Sequence, residues 1–230
     1  MRIFIGFKEN DVSVALNLQA RWGNDICPIF WPAKRGSRVD EIALFPDDIG
    51  RPYDYYLHYS GYQKISTALL KLFDQRAWNL HPAPPWYRGS GGLNLAIYNG
   101  EKKFGLTLHQ LSSNYDDGQI IKLYQIELYA DENISSASLR INGFRLEVCN
   151  QIIQDLRDGA INLNNNIVST VPIEWEGRIY KISEIDELAT VNLDDVISLE
   201  DLSLRIKAFA TQDFPLILKS QHGIYKVYGF

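Results

Sequence analysis

The sequence predicts an α/β protein: a doubly wound, mostly parallel sheet over residues 1–160, with a small α+β extension over 161–230. Three observations carry this expectation. In the first half, apolar stretches of strand length alternate with amphipathic stretches of helical period, the pattern of a sheet wound with helices on its faces. A polar run, Asn162–Asn166, marks the best internal boundary. Beyond it, short strand-like segments surround a single helical one. No repeat or low-complexity tract is visible.

Taken in order, Ile3–Phe7 reads as a strand, and Asp11–Arg21 as a helix with Val12, Ala15 and Leu16 apolar. Ile26–Trp31 is a strand and Val39–Phe45 a short helix. Tyr53–Tyr59 is an aromatic-rich strand. Lys64–Asp74 is a helix with Leu69, Leu70 and Phe73 on one side, and Ala77–His81 is a short strand. The stretch 82–92 holds three prolines and three glycines and must be a loop. Leu93–Tyr98 continues as a helix before Asn99-Gly100 turns the chain. Phe104–Leu111 and Gln119–Tyr129 alternate as strands do. Ile134–Leu156 carries Ala137, Ile141, Phe144, Val148, Ile152 and Leu156 at helical spacing, with Ser135 or Ser136 as cap and Gly159 as terminator. In the extension, Ile173–Ile182 reads as a strand pair and Leu199–Phe209 as a helix. Phe214–Lys219 and Ile224–Tyr228 read as a hairpin around His222-Gly223.

Composition narrows the function classes. With 230 residues, 46% of them hydrophobic, the chain can bury one sizeable core. No apolar run reaches the roughly 18 residues that span a bilayer, and the N-terminal apolar run is a first strand and not a signal peptide. Cys27 and Cys149 are too few for a disulfide framework or a cysteine zinc cluster, which fits a reducing cytoplasm. The net charge of −5 argues against a nucleic-acid partner. Lys34, Arg35 and Arg38 form the densest basic cluster. They read as a solvated loop, with a pyrophosphate site as the alternative.

The chemistry concentrates where Asn79 and His81 stand at the carboxyl end of one predicted strand, where the crevice rule for open α/β sheets puts a site, and Asp116 stands in the loop after another. An amide, an imidazole and a carboxylate suit acyl transfer onto an amine. Asn79 can donate to a carbonyl oxygen as it gains negative charge. His81 can donate or carry a proton. Asp116 can orient that imidazole and favour its charged form, or accept protons through a water. Singly, each has a plainer reading as a turn amide, a core histidine and a turn carboxylate. No zinc-site spacing, nucleophile elbow or P-loop is present, so no metal is expected. The glycine-rich run 89–92 could still meet a phosphate at the start of the next helix. His58 and His222 have no partner pattern.

The run Asn79-Leu-His-Pro, then Pro85-Trp-Tyr-Arg-Gly, then Gly105-Leu-Thr-Leu-His, and seven residues later Asp116-Asp-Gly resembles the formyltransferase family that uses 10-formyltetrahydrofolate. The resemblance implies a Rossmann-like core and assigns Asn79, His81 and Asp116 the roles just given. Asp117 is a rival to Asp116, but the seven-residue step from His109 and the D-x-G register favour Asp116. His109 and Thr107, alternating on one strand face, are expected as scaffold for the Asp116 loop. The segment from Gly61 through Tyr62, Gln63, Lys64 and Ile65 is similar to the one whose backbone pairs with the pteridine edge. Ser113, Tyr115 and Asp116 would close the other side of the cofactor.

The resemblance is dense over 61–121, looser before it, and fades after about residue 160. The C-terminal helix and hairpin are similar to those of sugar formyltransferases. This implies a nucleotide-linked amino sugar as acceptor, in bacterial surface-polysaccharide synthesis such as that of lipopolysaccharide O-antigen. Tyr87 would then be an aromatic platform and Arg88 a cation for the diphosphate. A homodimer stays open, as do three alternatives: another small amine as acceptor, a formyltetrahydrofolate hydrolase, and a non-catalytic folate or nucleotide-sugar binding module.

Overall fold

The first strand is buried at all five of its central residues. β1 (Arg2–Lys8) buries Ile3, Phe4, Ile5 and Phe7, so both its faces are covered. A near-continuous apolar strand of this kind belongs at the centre of a parallel sheet, and the computed structural model places it there. The structure describes residues 1–32, 40–160 and 173–229. β1 pairs in parallel with β2 (Ile26–Trp31) on one side and β3 (Asp54–His58) on the other. β4 (Ala77–His81) adds in parallel to β3. β6 (Lys103–Gln110) then pairs antiparallel with β4, and β7 (Ile120–Glu127) closes the order β2-β1-β3-β4-β6-β7. The α/β class with a mostly parallel central sheet is therefore as the sequence predicts.

The chain forms two compact units, each assembled from three separated segments. The first comprises Met1–His81, Leu106–Tyr124 and Arg145–Trp175. The second comprises Pro82–Gly105, Gln125–Phe144 and Glu176–Phe230. The boundary expected from the polar run lies outside the described residues. Its weakness as a guide is physical: a division set by packing leaves no local composition signal when each unit is assembled from separated segments.

In the first unit, α1 (Val12–Trp22) buries Ala15, Leu18 and Trp22 at helical spacing, and α2 (Thr67–Phe73) buries Leu69 and Phe73. The Ser66 side chain accepts the Leu69 amide at 3.2 Å and so starts α2. Phe4, Phe45 and Phe73 meet edge to face at 5.5–6.0 Å between ring centres, the geometry the aromatic quadrupole favours.

In the second unit, β5 (Arg88–Gly89) pairs in parallel with β8 (Ile179–Tyr180). The strand pair expected over 173–182 is thus one two-residue strand. The chain then forms α5 (Ile182–Leu188) and β9 (Thr190–Asn192), neither of which the sequence announced. Both are too short for a period to show. α3 (Gly92–Tyr98) lies against α6 (Leu199–Phe209), with the Asn94 amide donating to the Ala208 carbonyl at 2.8 Å. β10 (Leu216–Ser220) and β11 (Gly223–Val227) form the expected hairpin.

α4 (Ile134–Arg157) runs through both units. Its start is a reciprocal cap: Asn133 accepts the Ser136 amide at 2.9 Å, and Ser136 Oγ accepts the Asn133 amide at 3.1 Å. The cap is therefore Asn133, two positions before Ser135, with Ser136 as its partner. Among the described residues, no helix is long and apolar enough to cross a membrane.

Candidate active site

The antiparallel register of β4 against β6 builds the site. It sets Asn79 opposite His109 and His81 opposite Thr107. Because strand side chains alternate, four residues two apart on each strand share one face at the carboxyl end of β4. The Asn79 amide nitrogen lies 3.0 Å from His109 Nε2, and His109 Nδ1 lies 2.8 Å from the Gln110 carbonyl. A carbonyl only accepts, so the partners assign the proton to Nδ1. Nε2 of the neutral ring then accepts one amide proton of Asn79. The amide is held with its second N–H available to a ligand oxygen.

Asp116 completes the group. Its Oδ1 lies 3.3 Å from His81 Nδ1 and 3.7 Å from His109 Nε2, with both imidazoles and the carboxylate buried. The nearer contact orients His81, and the farther exceeds a hydrogen bond. Asp116 has φ +45, a left-handed backbone that few non-glycine residues adopt, though Asp tolerates it better than most. Asp117 points elsewhere: it is exposed and bonds to Ser112 Oγ and, at 2.7 Å, to Asn114 Nδ2. Asp116, not Asp117, is thus the carboxylate beside the two imidazoles. Gly118 holds the loop against β6. A Cβ there would sit 1.8 Å from the Gln110 carbonyl oxygen, so no other residue fits without moving the strand. Thr107 is fully buried beneath this group.

Two site residues carry no motif. Trp175 lies edge-on to His109 at 4.9 Å and to His81 at 5.9 Å between ring centres. Its indole N–H donates to the Gly118 carbonyl at 2.7 Å. It covers both imidazoles and ties down the end of the acidic loop. A lone tryptophan far along the chain gives no sequence signal of this.

His58 is the second. Trp31 Nε1 donates to the Tyr56 hydroxyl at 3.0 Å, which lies 2.8 Å from His58 Nδ1. His58 in turn donates to the Gly61 carbonyl. The chain of donors runs one way and makes His58 a neutral imidazole protonated at Nε2. Gly6 leaves room for it, since a Cβ there would be 2.4 Å from the Tyr56 hydroxyl. Burial, followed by repulsion from Arg145, lowers the His58 pKa to about 4.

That shift has a measurable consequence. The unfolded chain takes up the His58 proton near pH 6.5, whereas the folded chain resists it down to about pH 4. Stability is therefore full above pH 6.5 and falls as pH drops through that window, by on the order of 3 kcal/mol from this group. Urea midpoints of the protein and of His58→Gln should draw together from pH 7 to 4.5. Parallel curves would remove His58 as the source.

The residues expected around a cofactor lie on two loops of this unit. Tyr62 and Tyr115 are exposed, Ser113 is exposed, and Lys64 Nζ lies 6.0 Å over the Tyr115 ring. Gln63 donates to the Pro32 carbonyl at 2.9 Å and accepts the Tyr62 amide at 3.0 Å, so its side chain braces the turn. Ile65 is buried in the aromatic core. Only backbone groups of Gln63 and Ile65 remain to meet a ligand.

Tyr87 and Arg88 belong to the second unit. The Tyr87 ring is 4% exposed, and its hydroxyl donates to Glu101 and accepts from Asn99, each at 3.0 Å. Burial pushes that hydroxyl up to about 12. The aromatic platform expected of Tyr87 is instead an anchor for the proline turn. Arg88 is half-buried on β5. The Ser90 amide, in the glycine-rich run, donates to the Tyr180 carbonyl at 3.0 Å and is not presented to a phosphate. Lys34, Arg35 and Arg38 lie outside the described residues. Among the described residues, no group of three or more His, Cys, Asp or Glu side chains is arranged to hold a metal ion.

Fold and site together bring an amide, two imidazoles and a carboxylate to the carboxyl end of one strand of a mostly parallel sheet. Residues 56–156, which carry the whole cluster except Trp175, match the formyl transferase family. It is 28% identical over 139 residues to the bifunctional polymyxin resistance protein ArnA of Wigglesworthia glossinidia brevipalpis. That match covers 59% of this chain and 20% of ArnA, so the chain spans about a fifth of that relative's length.

Solved structures give the fold over the whole chain. A sugar N-formyltransferase from Shewanella sp. FDAARGOS_354 superposes with TM-score 0.71 at 20% identity, covering 100% of this chain and 96% of that one. An N-formyltransferase from Helicobacter canadensis, in complex with folinic acid and dTDP-3-aminofucose, superposes with TM-score 0.68 at 14% identity, covering 98% and 87%.

Proposed function

We propose that the protein transfers a formyl group from 10-formyltetrahydrofolate to the amino group of a nucleotide-linked sugar. The observation that carries this is the Asn79–His109 and His81–Asp116 cluster on one face at the carboxyl end of β4. The folate and nucleotide-sugar ligands of the Helicobacter canadensis protein support it.

The acceptor amine attacks the formyl carbon, and negative charge gathers on the formyl oxygen. The second amide N–H of Asn79 meets that charge, and its aim is already set by His109. His81, oriented through Nδ1 by Asp116, moves the proton lost by the attacking nitrogen toward the leaving N10. The C–N10 bond breaks as the new C–N bond forms, and tetrahydrofolate leaves with the proton. Trp175 limits water around the imidazoles, which disfavours hydrolysis. The Gly61–Ile65 backbone, braced by His58 and Gln63, meets the pterin, with Ser113, Tyr115 and Asp116 across from it.

The wider setting is part of the proposal. The acceptor is a precursor of bacterial surface polysaccharide, and the reaction runs in the cytoplasm. Incubation with 10-formyltetrahydrofolate and a panel of nucleotide-linked amino sugars, read by mass, should show one added formyl group on one acceptor. Formate release without any formylated product would favour the hydrolase. Arg88→Ala should weaken the sugar nucleotide by about 1.5–3 kcal/mol, the range for hydrogen bonds to charged groups, with folate affinity held. Calorimetry with both ligands tests it, and equal weakening of the two would remove Arg88 from the acceptor site.

A further inference from the structure

The geometry points to Arg145 as a positioning residue for this site: its guanidinium holds the backbone between Asn79 and His81 and supplies a fixed positive charge behind them. This rests on the proposed reaction. Arg145 lies on α4, buried, and Nη2 donates to the Leu80 carbonyl at 2.9 Å. Leu80 is the residue that separates Asn79 from His81 on β4. The bond therefore fixes the backbone of the strand end at the carbonyl between the two functional residues.

The environment is an unusual one for a guanidinium. Its carbon lies 4.3 Å from the Tyr59 ring centre, and Nε is buried with no hydrogen-bond partner among the described residues. Among the described residues, no acidic side chain hydrogen-bonds to it or lies within ion-pair distance. The groups facing it are Tyr59 from the end of β3, Cys149 one turn along α4, Asp11 from the turn before α1, and His58. Burial pushes the Tyr59 hydroxyl and the Cys149 thiol each up to about 12, so both are neutral. His58 is neutral as well. Asp11 is occupied with Ser60 Oγ. A buried cation with so little compensation is costly, and burial itself lowers its pKa. A methionine or leucine would fill the volume at less expense. What hydrocarbon cannot do is hold the Leu80 carbonyl and place positive charge beside the catalytic strand end.

The test compares Arg145→Met with Arg145→Lys. In the Met variant kcat should fall about 10- to 100-fold, with KM for folate and acceptor within roughly three-fold, since only the alignment of groups used in the transition state is lost. Removing a like charge should also raise the NMR titration midpoint of the His81 imidazole by roughly half a unit to one unit. Arg145→Lys should restore part of kcat and return the midpoint to that of the unaltered protein. Wild-type kcat in the Met variant overturns the proposal. So does a kcat loss that only tracks the loss of folded protein, with the His81 midpoint unmoved. If Arg145→Met does not fold, Arg145→Lys decides: a several-fold loss in kcat at an unchanged midpoint supports the clamp, and full activity sinks it. The NMR titration does not depend on turnover. Failure of formyl transfer by the unaltered protein would therefore count against the reaction and leave the His81 comparison to judge Arg145.

Discussion

Replacing His81 by Asn, or Asp116 by Asn, should each reduce formyl transfer by roughly 10³–10⁴-fold, while the double variant is little worse than either single one. Proton carriage by a positioned side chain contributes up to about 10⁴-fold, and an orienting carboxylate is worth a similar amount when its loss lets the wrong imidazole tautomer form. The 3.3 Å contact from Asp116 to His81 Nδ1 makes the two one device, and residues acting as one are not additive. Single-turnover rates with saturating folate and acceptor are the measurement. Losses that multiply in the double variant would mean the two act independently. A severe defect in Asp117→Asn beside a mild one in Asp116→Asn would reverse the assignment of the carboxylate.

Asn79→Ala should lower kcat by roughly 10²–10³-fold, the usual effect of losing one preorganised donor to a developing oxyanion in a dry site. Cofactor affinity should stay within a few-fold, because the amide serves the reacting oxygen and not the pterin. The structure adds a second expectation. Since His109 sets the amide's orientation, His109→Phe should reproduce part of the Asn79→Ala loss, and the two changes together should fall short of the product. Turnover near that of the unaltered protein in Asn79→Ala removes Asn79 from the mechanism, whatever His109 does.

Much of the site was legible because it is written locally. The D-x-G step works as a pattern because Gly118 must pass within contact of the Gln110 carbonyl while Asp116 turns back through a left-handed backbone. Both demands fall on neighbouring residues and leave a signature in sequence. The short strand Ala77–His81 was equally readable, since its apolar residues and its two polar ones alternate. Tyr87 misled for the same local reason: an aromatic residue beside a site loop looks the same in sequence whether its ring faces a ligand or, as here, packs inward with its hydroxyl on Glu101 and Asn99.

By itself the sequence determined the α/β class and the strand that ends in Asn79 and His81, and it singled out an amide, an imidazole and a carboxylate as candidates. The class and the strand follow from period and turn chemistry, which act over a few residues, and the three candidates from the motif resemblance. Only the tertiary structure decided what surrounds them. The antiparallel register of β4 and β6 set His109 across from Asn79, 30 positions away in the chain. Long-range packing brought Trp175 onto the imidazoles and Arg145 onto the Leu80 carbonyl. It also assembled two units from interleaved segments instead of dividing the chain once. Sheet register and core packing are settled by the sum of many distant contacts, and no single stretch of residues records that sum.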